Sequence, residues 1–260
     1  MRSFGRWMML AAAVCLFSPP AYTQDMMRHV DLSSPMFSSA EMTRAEVEAS
    51  LQASPAGADL SGKSLNGLDL SGLDFSNANF RAARMNKTNF SRARLDGVVL
   101  DQVWAMAADF SGASLRKATL FASQMQGAKC DSADFSGARV AADLSHASLR
   151  NAKFTGADLA ADMRNQSMGL IRAVLKSADL AGADFEGANL ALTDLEFAKF
   201  SGANLKGASL AEAAAGGADF RGAILGHTNF NGTDLTSARI DAAEEKAFSG
   251  ANNLERTFRE

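Results

Sequence analysis

The sequence predicts an all-β solenoid, in which the chain turns a corner every five residues and stacks the resulting coils into a rod. Three observations predict it. Bulky apolar residues recur at Leu60, Leu65, Leu70, Phe75, Phe80, Met85, Phe90, Leu95 and Leu100, and again at Phe110, Leu115, Leu120, Met125, Cys130, Phe135 and Val140. A small residue, mostly Ala, stands two positions before most of them. Composition carries the same bias, with 21 Gly and 17 Phe against 4 Pro and 1 Tyr in 260 residues, as a repeat would produce. Neither a helix nor an ordinary strand keeps every fifth residue on one side. Short edges joined by corners do, because each edge points its central residue inward, and four edges close a square coil.

The elements follow in chain order. The start, MRSFGRWMMLAAAVCLFSPPAYTQ, has a basic n-region (Arg2, Arg6), an apolar run from Trp7 to Phe17 and, in AYT before Gln24, a cleavage site that departs from the preferred one in having Thr23 rather than Ala. The run is too short to span a bilayer, so residues 1–23 read as a secretory signal peptide. Stable membrane insertion is not expected once it is removed. Cys15 is preceded by Val14 rather than a small residue, which argues against a lipid anchor. Without Arg2 and Arg6 the formal charge moves from −3 to −5, since 29 acidic residues then face 24 basic ones. The surface is sign-mixed, with no basic patch for nucleic acid. Cys130 is left as the single thiol, unable to form an internal disulfide.

Residues 24–57 read as a linker and N-terminal capping helix. In SSAEMTRAEVEASLQ, Ser38 with Glu41 fits a capping box, and Met42, Val47 and Leu51 make an apolar side. From Ala58 the chain writes itself in fives: ADLSG, KSLNG, LDLSG, LDFSN, ANFRA. This pattern resembles the pentapeptide-repeat family from Ala58 to Ile240. The resemblance implies a right-handed quadrilateral β-helix, with the Leu or Phe and the preceding Ala inside and the other positions outside. Residues 58–240 would give about nine coils and a rod roughly 40 to 45 Å long at the inter-strand spacing.

The frame slips after Val140. Its centres become Leu144, Leu149, Phe154 and Leu159, then Met163 and Met168, and return to register at Leu175. Two four-residue steps and one seven-residue step restore the frame, which marks Met163–Leu175 as a bulge or local loop. Residues 241–260 form the C-terminal cap, a short helix carrying Phe248 followed by a tail with Leu254 and Phe258. Solenoid ends need such closure. The tail offers a surface for pairing two rods end to end as a homodimer.

For chemistry, GADLSGKS (Gly57–Ser64) satisfies the phosphate-loop pattern at every fixed position. The fives continue without a helix after Ser64, so the converging N–H groups that a phosphate needs are missing. Twenty-residue stacking places Asp59 near Asn79, Asp69 near Asn89 and Asp109, and Asp74 near Arg94. Such carboxylates serve the turns of the repeat. His29, His146 and His227 are scattered, so no metal site is expected. Cys130 holds a core position and is inert there. No catalytic set emerges, and no cofactor is called for.

One departure points outward. In DGVVLDQVWAMAADF the polar outer positions turn apolar at Val99, Trp104 and Met106, and Phe121 follows one coil later. Stacking brings these four onto adjoining faces, bordered by Arg81, Arg84 and Gln124. Val99, Trp104, Met106, Phe121 and Arg84 are therefore the candidate partner-binding residues, unless an N-terminal segment folds over them. The expected function is that of an exported, non-enzymatic rod that holds a protein partner, in a bacterial periplasm. The family resemblance also implies an alternative, a DNA mimic that modulates DNA gyrase. The export signal and the mixed charge speak against it.

Overall fold

The computed structural model describes residues 34–163 and 171–260. All of them fall in one compact unit, Leu32–Glu260. The signal-peptide reading of residues 1–23 lies outside the described residues.

The fives build a right-handed quadrilateral β-helix. The rungs of its first face are Asp59, Asn79, Val99, Thr119, Arg139, Asp158, Asn189, Ser209 and Asn229, each paired in parallel with the next. That makes nine coils. The second face runs Ser64, Arg84, Trp104, Gln124, Asp143, Val174, Asp194, Ala214 and Asp234. The third starts at Asp69 and the fourth at Asp74. Backbone groups are satisfied between coils: Leu60 N donates to Asn79 O at 2.8 Å, and Asn79 N donates to Ala58 O at 2.9 Å. Most rungs are single residues. Among the described residues, strands longer than two residues are β1 (Thr119–Gln124), which runs through a left-handed corner at Ala122, and β2 (Arg139–Asp143), where the corner loses a residue; the two pair in parallel.

Leu or Phe and the small residue two before it fill the interior. Because coils repeat at the inter-strand spacing of about 4.8 Å, identical residues lie directly over one another. Phe135, Phe154 and Phe185 stack at 4.8 and 4.7 Å with rings within 2° of parallel. Outside, the carboxylates serve the turns. Asp59 Oδ1 accepts from Ser61 N at 3.1 Å and from Asn79 Nδ2 at 3.1 Å. The bonds from Ser61 hold this carboxyl below the usual range. Most corners end on a left-handed residue, Gly62 (φ +67°) in the first coil. Phe197 takes the same position at φ +58°, where a side chain costs about 1–2 kcal/mol.

Both irregularities fall at the corner between the first and second faces. The step Arg139 to Asp143 is one residue short, so Lys129 pairs with Ser148 nineteen residues on. In the next coil the chain leaves after Asp158 and returns at Val174, a sixteen-residue step. Its base is closed by Asp162 N donating to Ile171 O at 2.8 Å. This corrects the frame inferred around Met163, which is not a core centre but 55% exposed. Met168 lies outside the described residues. There is one short step and one long excursion, and the coils continue unbroken through both.

The caps differ in kind. α1 (Pro35–Ser38) is a single turn, and α2 (Arg44–Ala53) lies over the first coil. The capping box is formed by Thr43 and Glu46 rather than Ser38 and Glu41: Thr43 N donates to Glu46 Oε2 at 2.7 Å, and Glu46 N donates to Thr43 Oγ1 at 3.3 Å. Glu41 is drawn instead toward Arg84 and Lys63, at 3.8 Å from each. Val47 is buried, with Met42 and Leu51 packed beside it. At the far end a 3₁₀ helix, Ala242–Phe248, drives Phe248 into the core. There its ring meets Phe230 at 4.5 Å. Finally β4 (Phe258–Arg259) pairs in parallel with β3 (Arg239–Ile240).

Candidate partner-binding face

The candidate outer positions that break the repeat lie on the second face of the first four coils and on its two flanks. Arg84 and Trp104 are successive rungs, with Gln124 the next. Met106 stands at the corner toward the third face, and Phe121 at the corner toward the first, in β1. Val99 is a rung of the first face. The five candidate residues thus span one face and its two flanks rather than converging on a single corner. All are half-buried. Arg81 reaches down to Asp101 at 3.1 Å, and Phe121 N donates to Asp101 Oδ1 at 3.1 Å.

Residues 36–41 lie across this face. Phe37 packs on Trp104 with ring centroids 4.8 Å apart. Ala40 pairs antiparallel with Leu65, and Glu41 N donates to Ser64 O at 2.9 Å. Two buried amides read the segment's main chain: Asn66 Nδ2 donates to Ser39 O (3.2 Å) and Met36 O (3.3 Å), and Asn86 Nδ2 to Phe37 O (3.3 Å). Ser64 Oγ donates to Ser39 O at 2.5 Å. Asn66 and Asn86 were legible only as a column twenty residues apart; Phe37, in the linker, carries no repeat signal at all. A cavity of about 370 Å³ remains beside Phe37, lined also by Asn86, Lys87 and Met106. Arg84 Nε is buried without a hydrogen-bond partner.

Elsewhere the surface offers little chemistry. No group of three or more His, Cys, Asp or Glu among the described residues could hold a metal. His146 and His227 occupy left-handed corners at φ +59° and +60°, while His29 lies outside the described residues. Burial pushes the Cys130 thiol up, away from the reactive thiolate. In Gly57–Ser64, Leu60 is core, Gly62 turns the corner and Ser64 binds the N-terminal segment.

A closed core, outward carboxylates spent on turns and one face that holds a peptide segment define a repeat solenoid that displays a surface. The pentapeptide-repeat model matches in 8 copies, over residues 56–86, 64–102, 106–139, 140–161, 170–207 and 216–243. The chain belongs to the pentapeptide-repeat family. The match breaks between residues 102 and 106, 161 and 170, and 207 and 216; the second break falls within the long step from Asp158 to Val174. No curated protein sequence matches significantly. Among solved structures, QnrB1, a plasmid-mediated fluoroquinolone resistance protein, is similar at 19% identity, over 74% of this chain and 95% of its own, with a TM-score of 0.63. HetL, a pentapeptide repeat protein involved in heterocyst differentiation regulation in the cyanobacterium Nostoc, is 24% identical over 76% of this chain and 97% of its own, with a TM-score of 0.41. At these identities the likeness is one of fold.

Proposed function

We propose that the protein is an exported, non-enzymatic interaction rod whose second face, centred on Trp104, holds a protein partner in a bacterial periplasm. One observation carries the reading: the outer face that abandons the polar repeat is also the face on which a peptide segment is seated. Export rests on the character of residues 1–23. The convex rod surface, with its carboxylates occupied by turns, supports a binding role over catalysis. The test is crosslinking capture from the native exported fraction, comparing wild type with a Trp104→Ala, Phe121→Ala variant that keeps its β-rich circular dichroism. Loss of one specific partner in the variant is the expected outcome; capture unchanged by the substitutions would remove the site.

A second reading is favoured by the fold likeness to QnrB1, namely modulation of DNA gyrase by resemblance to B-form DNA. Against it stands the third face, where Asp69, Asp109, Asp179 and Asp219 are interrupted by Lys129, Lys199 and Arg239. A duplex carries unbroken negative charge along its length. A supercoiling assay separates the two, since inhibition or protection of gyrase at stoichiometric protein would reinstate this alternative.

A further inference from the structure

The segment on the second face shows what that face can read. We propose that the second face of coils one to four is a peptide-recognition seat for an aromatic residue followed four positions later by an acidic one, occupied in cis by Met36–Glu41 as a displaceable strap. The inference rests on the interaction reading above and names its ligand class.

Recognition divides into three parts. Asn66 and Asn86 donate to main-chain carbonyls, which any peptide presents. Trp104 supplies an aromatic platform, now taken by Phe37. Arg84 and Lys63 supply the positive charge facing Glu41. Past the helical turn that presents Phe37, the strap is extended at Ser39 and bridges Leu65 through Ala40, and such backbone pairing of a peptide with a sheet edge is a known mode of binding.

The strap underuses its seat. α1 buries none of its residues, and Met36 is 62% exposed. Both of Glu41's ion pairs are long, at 3.8 Å, while Arg84 Nε keeps no hydrogen-bond partner. A carboxylate placed to take both guanidinium edges would satisfy that donor bidentately. The cavity beside Phe37 leaves room for a larger ring. One coil beyond Met106, Gln126 Oε1 is also buried and unpartnered, so the polar edge of the seat runs on past the end of the strap. A trans ligand has more to gain here than the strap does.

The experiment uses the full chain with Trp7→Phe, which leaves Trp104 as the sole tryptophan reporter. A synthetic peptide of residues 34–43 is titrated against this chain and against the same chain with Phe37→Ala and Glu41→Ala. Saturable change in Trp104 emission is expected with the emptied seat, and apparent affinity at least about tenfold weaker with the strap intact, because a strap closed nine-tenths of the time leaves a tenth of the seats competent. A peptide with Ala in place of its Phe is expected to bind at least about tenfold more weakly. No saturable response in an emptied chain with native circular dichroism would overturn the proposal, as would equal binding of the Phe-less peptide. Should the double variant lose its coil signal, Phe37→Ala alone serves the same comparison. If the peptide fails while partner capture still depends on Trp104, only the ligand class falls; if both fail, so does the interaction reading.

Discussion

The two ends of the rod solve the same problem differently. Each exposes a coil edge with unpaired backbone groups and open apolar interior. At the C-terminal end the chain stays in the ladder: β4 adds to β3, Phe248 enters the core and Arg221 links Asp219 to Glu260. At the N-terminal end a helix is laid over the edge. Arg44 donates to Asp69 O at 2.8 Å and Ser71 O at 3.3 Å, Val47 plugs the interior, and a strap with few buried atoms continues over the side. The difference teaches that closure and display are separable. The C-terminal end is stitched shut, whereas the N-terminal end carries both a plug and a peripheral segment that can leave without opening the core.

Phe248→Ala tests the stitched end and should have the largest effect. Deleting a fully buried Phe side chain in contact with Phe220 and Phe230 costs about 3–5 kcal/mol. Thermal unfolding followed by circular dichroism should show a clear fall in midpoint. Val47→Ala at the plugged end removes two buried methyl groups, a loss of about 2 kcal/mol. If Val47→Ala proves as costly as Phe248→Ala, the helix is as integral as the tail and the contrast between the ends weakens.

Acid probes both ends through their carboxylates. The Ser71 bonds hold Asp69 below the usual range, and the Arg221 guanidinium does the same for Asp219. A carboxyl whose folded pKa is depressed stabilises the fold above its unfolded value near about 4 and loses that contribution as pH falls through the folded one. The urea midpoint should therefore hold level above about pH 5 and decline below about pH 4. In Asp219→Asn, which also releases Arg221 from its carboxylate partner, the decline should be shallower. A decline equally steep in Asp219→Asn would show that this carboxylate contributes nothing to the stitched end.

The core was legible because its apolar centres keep a period of five that neither helix nor strand can hold on one side, and the family resemblance supplied the form of the coil. What sequence missed lacks period. Ser38 and Thr43 each precede a Glu by three residues, so two capping boxes compete on paper. Thr43 wins because the residues after it supply Val47 and Leu51, and because Glu41 is drawn to Arg84 and Lys63. Met163 repeats after Leu159 the four-residue step from Val140 to Leu144 on paper, yet it is exposed and outside the core. Phe37 meets Trp104 across 67 positions with no repeat to announce the contact. The receptor half of the candidate site could be read from broken repeats, as could the alternative of an N-terminal segment folding over it, which Phe37 on Trp104 bears out. Which residues of that segment make the contact could not be read.

The smallest effect is the one that decides whether the strap is part of the fold or its cargo. Phe37 is half-buried and its ring rests on one partner, Trp104, in a segment whose helical turn buries nothing. A half-buried aromatic pair of this kind contributes about 0.5–1.5 kcal/mol beyond the area it covers, and freeing the segment returns backbone entropy of similar size. Phe37→Ala should leave the unfolding midpoint within about 1 kcal/mol of wild type, while Trp104 emission shifts to the red as its ring meets water. A loss near that of Phe248→Ala would place Phe37 in the closure itself and erase the distinction between the ends. A red shift with an unchanged midpoint would mean that Trp104 can be uncovered at little cost, the condition under which a partner could take the strap's place.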